Sequence, residues 1–540
     1  MMKKYIYILS FLLSFYGILN AQTYLNVMVD NVGAPEEPSI AINPKNINQL
    51  VAGANIDFYY WSSNGGYNWT KGTLVDNISG VWGDPAMQVD TAGNFYFFHL
   101  SNPPAPAIWI DRIVCAKSTN AGVSYGNPGT YMGLNPNGRA EQDKAWSAVD
   151  WTHGTRGNWI YVTWTQFDSY NSSQPNDSSR ILFSRSTNGG LNWLDPPIRL
   201  NALSGDCHDM DNTMEGAVPA VGPNGVLYVG WAGPKILNSQ YGIYFQKSTD
   251  GGTTWLAAPT YVCDQPGGWD YNISGIYRAN GLPVTCCDLS GGPYNGYIYI
   301  NWTDSAGPAD HDVKMVRSTN GGLNWSTPSK VNDDPAGKEQ FFTWMTIDQS
   351  TGYLYFVFYD RRNYTDNQTD VYMARSTDGG TTFTNFKVSS SPFTPTSGTF
   401  FGDYTNVTAA NGSVRPIWAR LQSGQLSIWA AIVDYPLPVK NPSNELPKSY
   451  SLSQNYPNPF NPSTKIRFDI PSGNLNSVPV KLVIYDILGR EITVLVNEDL
   501  APGTYEYEWN AMNYSSGVYF YTIKAGDNSF TETKKMVLSK

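Results

Sequence analysis

Charge is scarce in this chain of 540 residues: 15% are Asp, Glu, Lys or Arg, the 45 acids outnumber the 35 bases, and no basic cluster stands out. Nucleic-acid binding needs grouped Lys and Arg for phosphate contacts, so a nucleic acid is excluded as a partner. Histidine is scarcer still, with four (His99, His153, His208, His311), and the five cysteines (Cys115, Cys207, Cys263, Cys286, Cys287) contain no CxxC pair. That composition offers no ligand set for a tetrahedral zinc site. The cysteines are also too few and too irregular for a disulfide scaffold. Export would leave room for one or two bridges among the last four, with at least one thiol left over.

Long apolar runs are missing beyond the N-terminus. There, Lys3 and Lys4 precede an apolar stretch from Tyr5 to Leu19, and the small Ala21 offers a cleavage point, so residues 1–21 read as a secretory signal peptide. A membrane span needs about 20 apolar residues, more than this stretch supplies. Loss of the signal removes two lysines and moves the formal charge from -10 to -12. A soluble, secreted, acidic monomer without a transmembrane segment is expected.

Aromatic residues, in contrast, are abundant at 14%, with 18 Trp and 36 Tyr, which favours strands. The sequence also repeats itself. STNGGLNW occurs at 186–193 and again at 318–325, and looser copies begin at Ser62, Ser118, Ser248 and Ser376. Around each copy lies the same order of segments. An inner strand ends in a turn (WSAVDWTHG at 146), a second strand follows (GNWIYVTW at 157), then the octet and a short fourth strand (PIRLN at 197). Four antiparallel strands recurring every 40 to 70 residues or so are the sequence form of an all-β propeller.

Seven inner strands can be counted, beginning near residues 38, 84, 145, 217, 282, 342 and 403, but the seventh unit has no octet and no fourth strand of its own. NVMVDN at 26–31 can supply that strand, which predicts seven blades closed by the N-terminus, with six blades as the alternative. In the octets the glycines at the fourth and fifth positions, with Ala121 for the first of them in one copy, suit a tight turn, the Ser and Asx side chains can bond the turn's own amides, and the last aromatic fills a gap between sheets.

The octet resembles the Asp-box (S-x-D/N-x-G-x-x-W) of the sialidase superfamily and of bacterial-neuraminidase-repeat propellers. The structural positions are Ser186, Asn188, Gly190 and Trp193 in one copy and Ser318, Asn320, Gly322 and Trp325 in the other. The tail, with YPNPFNP, IYDILGRE, GVYFY and KKMVL, closely resembles the type A C-terminal sorting domain of type IX secretion cargo. That resemblance implies a diderm bacterium, contact with the type IX machinery, and release or display at the outer-membrane surface. The expected organisation is a signal peptide (1–21), a propeller (22–435), a Pro/Ser/Asn-rich linker (436–449) and an immunoglobulin-like sorting domain (450–540).

In a propeller, the loops leading into the inner strands share one face with those joining second and third strands. The leading loops carry Glu36, Asp84, Asp143, Glu215, Glu339 and Asp403, with Lys144 beside them, and the other loops add Asp304, Asp360, Arg361, Arg362 and Arg420. Carboxylates converging on an axis perturb one another's pKa, and paired carboxylates carry out glycoside hydrolysis. The candidate catalytic acids are therefore Asp84, Asp143, Glu215, Asp360 and Asp403. The candidate ligand-binding groups are Lys144, Asp304, Arg361, Arg362, Arg420 and Tyr404. No cofactor is required, but Asp206, Asp209 and Asp211 in GDCHDMDNTME are hard oxygen ligands that could hold calcium.

Sialidases also carry an Arg-Ile-Pro motif, an arginine triad, an aspartate acid/base and a Tyr/Glu nucleophile pair. Here the nearest string is DRIV at 111–114, without the proline, and Arg185, Arg317 and Arg375 precede octets on the opposite face. Two functions are thus expected to compete. One is a glycoside hydrolase acting on a glycan or glycoprotein. The other is a non-catalytic propeller that binds a glycan or a protein.

Overall fold

The computed structural model describes residues 24–134, 140–307, 310–435, 440–443, 447–471, 477–511, 514–526 and 529–539. The expected signal peptide and half of the expected linker lie outside them. The described residues form an all-β chain with a single short 3-10 turn at Pro223–Gly225.

Seven four-stranded antiparallel sheets follow one another between residues 25 and 434. Their inner strands are Ser39–Ile42, Gly83–Val89, Glu141–Val149, Glu215–Gly222, Val284–Cys287, Gln340–Asp348 and Asn406–Ala410. Each inner strand packs against the next, and the last packs against the first. The seventh sheet takes its outermost strand from the N-terminus: Leu25–Asp30 runs antiparallel to Gln425–Asp434. Asn26 also reaches the sixth sheet, donating to the Val388 carbonyl at 2.8 Å and accepting from the Ser390 amide at 2.7 Å.

The second strands are the most apolar segments. Ile160–Phe167 and Tyr353–Asp360 are buried almost throughout, as expected of strands sandwiched between neighbouring sheets. Trp164, Trp231, Trp302 and Trp418 are fully buried there.

The octets close the turns between third and fourth strands. In all six, the serine Oγ accepts the amide of the glycine at the fifth position at 2.8 to 3.0 Å. The Asx side chain at the third position accepts an amide four residues on, as Asn188 does from Asn192 at 3.0 Å. The glycines take positive φ, for example 68° at Gly189 and 81° at Gly190. The closing aromatics then cross to the preceding sheet. Trp193 meets Phe98, Trp255 meets Phe183 and Trp325 meets Phe245 edge-on, with ring centroids 4.9 to 5.9 Å apart.

A second set of links runs the other way. Lys117, Arg185, Lys247 and Arg317, each just ahead of an octet, donate to the Gly189, Gly251, Gly321 and Gly379 carbonyls of the next octet at 2.5 to 3.1 Å. Arg415 of the seventh sheet makes the same bond to Gly65 of the first at 2.7 Å. Arg375, whose next sheet has no octet, lies over the Tyr435 ring at 4.3 Å instead.

All five cysteines are free, which corrects the bridges expected among the last four. Cys286 and Cys287 are neighbours in one inner strand, whereas Cys263 lies in the outer strand of the sheet before, Thr260–Asp264.

In the tail, two four-stranded sheets share one apolar core that includes Ile466, Phe468, Leu482, Tyr521, Ile523 and Met536. Lys440–Ser443, inside the stretch expected to be linker, is a strand paired with Gly503–Asn510. Among the described residues, no helix is long and apolar enough to cross a membrane.

Candidate functional site

A repeated irregularity positions the site. Where the inner strands begin, the pairing register slips between Gly83 and Ala86, Asp143 and Trp146, Glu215 and Val218, and Phe341 and Trp344. At the same step φ turns positive: 51° at Glu37, 51° at Asp84, 50° at Lys144, 71° at Gly216 and 51° at Phe342. A bulge of this kind bends the strand and re-aims its side chains. The residue pairs at this step of the seven inner strands, bulged or not, are Glu36–Glu37, Gly83–Asp84, Asp143–Lys144, Glu215–Gly216, Gly281–Leu282, Phe341–Phe342 and Asp403–Tyr404. The mouth thus has a charged arc and an apolar one.

Lys144 is the hub of the charged arc. Its Nζ lies 2.9 Å from Asp403 Oδ1, 3.6 Å from Asp84 Oδ2 and 4.0 Å from Glu37 Oε1, and its side chain is only 8% exposed. Arg278 bridges from the loop ahead of the fifth sheet, with Nη2 2.5 Å from Asp403 Oδ2 and Nη1 3.5 Å from Asp209 Oδ2. Tyr170 donates its hydroxyl to Asp209 Oδ2 at 2.5 Å. Asn55 donates to Glu36 Oε1 at 3.2 Å and to Glu37, and its own Oδ1 accepts the Asp84 amide at 2.7 Å. Asn280 holds the Asp403 carbonyl at 2.9 Å.

The acids outnumber the two cations, and they meet in pairs: Asp84 with Asp143, Asp209 with Glu215, and Glu37 with Asp403. Burial, reinforced by Asp84, pushes the Asp143 carboxyl well above the ordinary range, and burial with Asp209 and Asp143 does the same to Glu215. Glu37 is raised by burial and by Asp403, and burial is the main force that takes Glu36 up to about 8. Asp403 goes the other way. Burial opposes its ionisation, but Lys144 and Arg278 outweigh that and hold it below the usual range. Burial likewise works against the Lys144 charge, and Asp403, Asp84 and Glu37 more than offset it. One constellation therefore contains carboxyls whose ionisation is opposed by burial and by neighbouring acids, a carboxylate held ionised, and fixed cations. Glu215 Oε2 and the Tyr404 hydroxyl are buried there without a hydrogen-bond partner.

Behind the charges the axis is plugged. The Trp146 and Trp344 rings lie 4.2 Å apart and Tyr404 meets Trp146 edge-on at 5.3 Å. The space left beside Lys144, Asp403 and Tyr404 is about 30 Å³. A larger axial cavity of about 270 Å³, lined by Gln88, Ala148, Cys286 and Thr346 among others, lies on the far side of the tryptophans.

The structure thus gathers Asp84, Asp143, Lys144, Glu215, Asp403 and Tyr404. It does not bring the other candidates to this cluster. Asp360 is paired with Arg362 at 2.7 Å and accepts from Gln340, and Arg362 also bonds Asp333. Arg361 is buried over the Phe341 ring and donates to the Ser274 carbonyl at 2.8 Å. Arg420 donates to Ser391 and to the Pro392 carbonyl at 3.1 Å each. Asp304 is buried opposite Asp312 in the fifth sheet, where burial lifts its carboxyl to about 6. Charged residues after second strands are here held by ion pairs, carbonyls and rings away from the cluster, which the sequence pattern alone does not reveal.

The three aspartates proposed for calcium also separate. Asp206 accepts the His208 amide, Asp211 accepts the Asp270 amide at 2.7 Å, and only Asp209 reaches the mouth. Among the described residues, no group of three or more His, Cys, Asp or Glu is arranged to hold a metal. Arg112 of the DRIV string is buried and doubly bonded to Asp111 at 2.6 and 2.8 Å.

Sequence reasoning missed Arg278, Tyr170 and the role of Asp209. Arg278 had a weak signal, since it stands four residues ahead of the Leu282 mouth position. Tyr170 had none.

Residues 454–539 match the family described as secretion system C-terminal sorting domain. The chain therefore carries the sorting tail of a protein secreted to the extracellular or outer-membrane surface. A comparison with curated proteins gives no match. Among solved structures, the chain is similar to an ulvan lyase of a polysaccharide lyase family, at 12% identity and TM-score 0.45 over 76% of this chain and 96% of that one. It is similar to an endo-arabinase from Bacteroides thetaiotaomicron at 15% identity and TM-score 0.31, over 55% and 93%. It is also similar to Trypanosoma rangeli sialidase in complex with sialic acid, at 11% identity and TM-score 0.39, over 86% and 84%.

Proposed function

We propose that the chain is a secreted, glycan-acting β-propeller of seven blades, closed by its N-terminal strand and stapled by Asp-box octets, with glycoside-hydrolase chemistry at the axial mouth. Residues 22–435 form the propeller and 450–540 an immunoglobulin-like sorting domain, to which the strand Lys440–Ser443 within the connecting stretch 436–449 also belongs.

The carrying observation is the pairing of carboxyls at the mouth. A carboxyl kept protonated beside a second carboxyl is the arrangement that supplies an acid and a base at one pH. Asp143 delivers a proton to the leaving glycosidic oxygen, the new O–H bond forming as the glycosidic C–O bond breaks. The Asp209–Glu215 pair, fixed by Tyr170 and Arg278, stands on the next inner-strand loop and supplies the carboxylate that faces the sugar's other side or activates water. Asp403, clamped by both cations, is too weak a base for proton transfer. It adds negative potential that favours an oxocarbenium-like transition state.

A non-catalytic glycan- or protein-binding propeller is the second reading. It is favoured by the tightness of the innermost space, about 30 Å³, which admits a water but no sugar ring.

The test is a chromogenic-glycoside screen on the full chain and on Glu215→Gln. Hydrolysis of at least one glycoside, lost in the variant while melting is kept, supports the first reading. Binding without turnover in either protein supports the second.

A further inference from the structure

We infer that the rim of this mouth is an open groove for an uncharged saccharide chain, held at one end by Trp82 and Trp109 and at the other by Tyr277 and Phe400. The inference rests on the glycan reading above and specifies the class of glycan and how it lies.

The groove can be followed ring by ring. Trp82 and Trp109, 41% and 38% exposed, meet edge-on with centroids 5.3 Å apart. Trp109 meets Tyr170 at 5.9 Å, and the Tyr170 hydroxyl bonds Asp209 at 2.5 Å. Asp209 leads to Arg278, whose guanidinium lies 5.2 Å from the Phe400 ring centre, and Phe400 meets Tyr277, which is 63% exposed. An aromatic ledge, a carboxyl-rich centre and a second aromatic ledge thus follow one another across loops of the second, third, fourth, fifth and seventh sheets.

Both ledges offer apolar faces on which the C–H face of a sugar ring can be buried, and the centre offers acceptors for its hydroxyls. Two ledges flanking the acids require a ligand that extends in both directions, so an internal stretch of a chain fits better than a single terminal residue.

Charge selects among glycans. A uronate, sulfate or sialate needs a cation to meet it. The mouth's two cations are already committed, Lys144 to Asp403, Asp84 and Glu37, and Arg278 to Asp403 and Asp209. With no cation left over among these residues, an anionic chain finds no partner for its charge at the mouth. A neutral chain needs none.

The test is affinity electrophoresis of the full chain through gels containing laminarin, xylan, arabinan or polygalacturonate. At least one neutral polymer is expected to retard the protein and polygalacturonate is not. Trp109→Ala and Tyr277→Ala should each weaken that retardation about tenfold, with Trp109→Phe restoring most of it. Both side chains are partly exposed, so melting of the variants is expected to stay close to that of the parent. Retardation by polygalacturonate alone, by no polymer, or by a neutral polymer with both alanine variants unaffected overturns the groove. Retardation with the expected variant losses but no hydrolysis of any glycoside would instead retain the groove and sink the hydrolase reading.

Discussion

At the scale of single residues, Glu36 and Trp193 give the sharpest expectations. Glu36 titrates near 4.5 in an unfolded chain and near 8 in the fold. Between those values the folded form binds more protons, so its contribution to stability is fully present below the lower value and is lost as pH rises through the upper one. Melting temperature should therefore fall by a few degrees from pH 5 to 8 (roughly, after linkage), and Glu36→Gln should flatten that slope. Asp403 acts oppositely, its stabilisation present above the ordinary carboxylate range and lost in acid. A parent and a variant with identical pH–melting curves would contradict the assignment of Glu36. Trp193 bonds Thr130 Oγ1 at 2.9 Å and packs on Phe98 across the sheet boundary. Trp193→Ala should cost about 2 to 4 kcal/mol in denaturant unfolding, with turnover of the folded fraction unchanged.

At the scale of elements, the N-terminal strand and the cation links decide how the seventh sheet joins the first. Deleting residues 22–31 removes the outer strand of the seventh sheet and exposes the edge of Gln425–Asp434, so aggregation and a loss of about 2 kcal/mol or more are expected, read by light scattering and melting. Arg415 is 2% exposed and bonds Gly65 and Asp434, so Arg415→Met should destabilise more than the same change at Arg185, whose bonds to Gly251 and Thr253 are partly exposed. These elements were largely legible in the sequence. The octets announced the turns, the inner strands alternated visibly, and NVMVDN matched a fourth strand in character. The bulges were not legible, because the residues that adopt positive φ at Glu37, Asp84, Lys144 and Phe342 are not glycines and carry no turn signature. Those bulges turn a row of acids into facing pairs.

At the scale of the whole molecule, the ring geometry converts separate loops into one site. Asp84, Asp143, Glu215 and Asp403 were legible as candidates because each stands where an inner strand begins, and they do meet. Asp304, Asp360, Arg361, Arg362 and Arg420 hold less regular places, and the bonds and stacks they make lie away from the cluster, an outcome set by side-chain reach rather than by spacing. Arg278 came from an excursion ahead of the fifth sheet that the repeat does not contain. The sorting tail, by contrast, was readable by its own motifs, and residues 454–539 match the corresponding family. The central claim is that function resides in the paired carboxyls of the mouth, and the most direct test is the hydrolysis rate of the full chain against Asp143→Asn on the glycoside that the parent cleaves best. The account predicts a fall of about a hundredfold or more with unchanged melting; a variant as active as its parent, or a parent inactive on every glycoside, would contradict it.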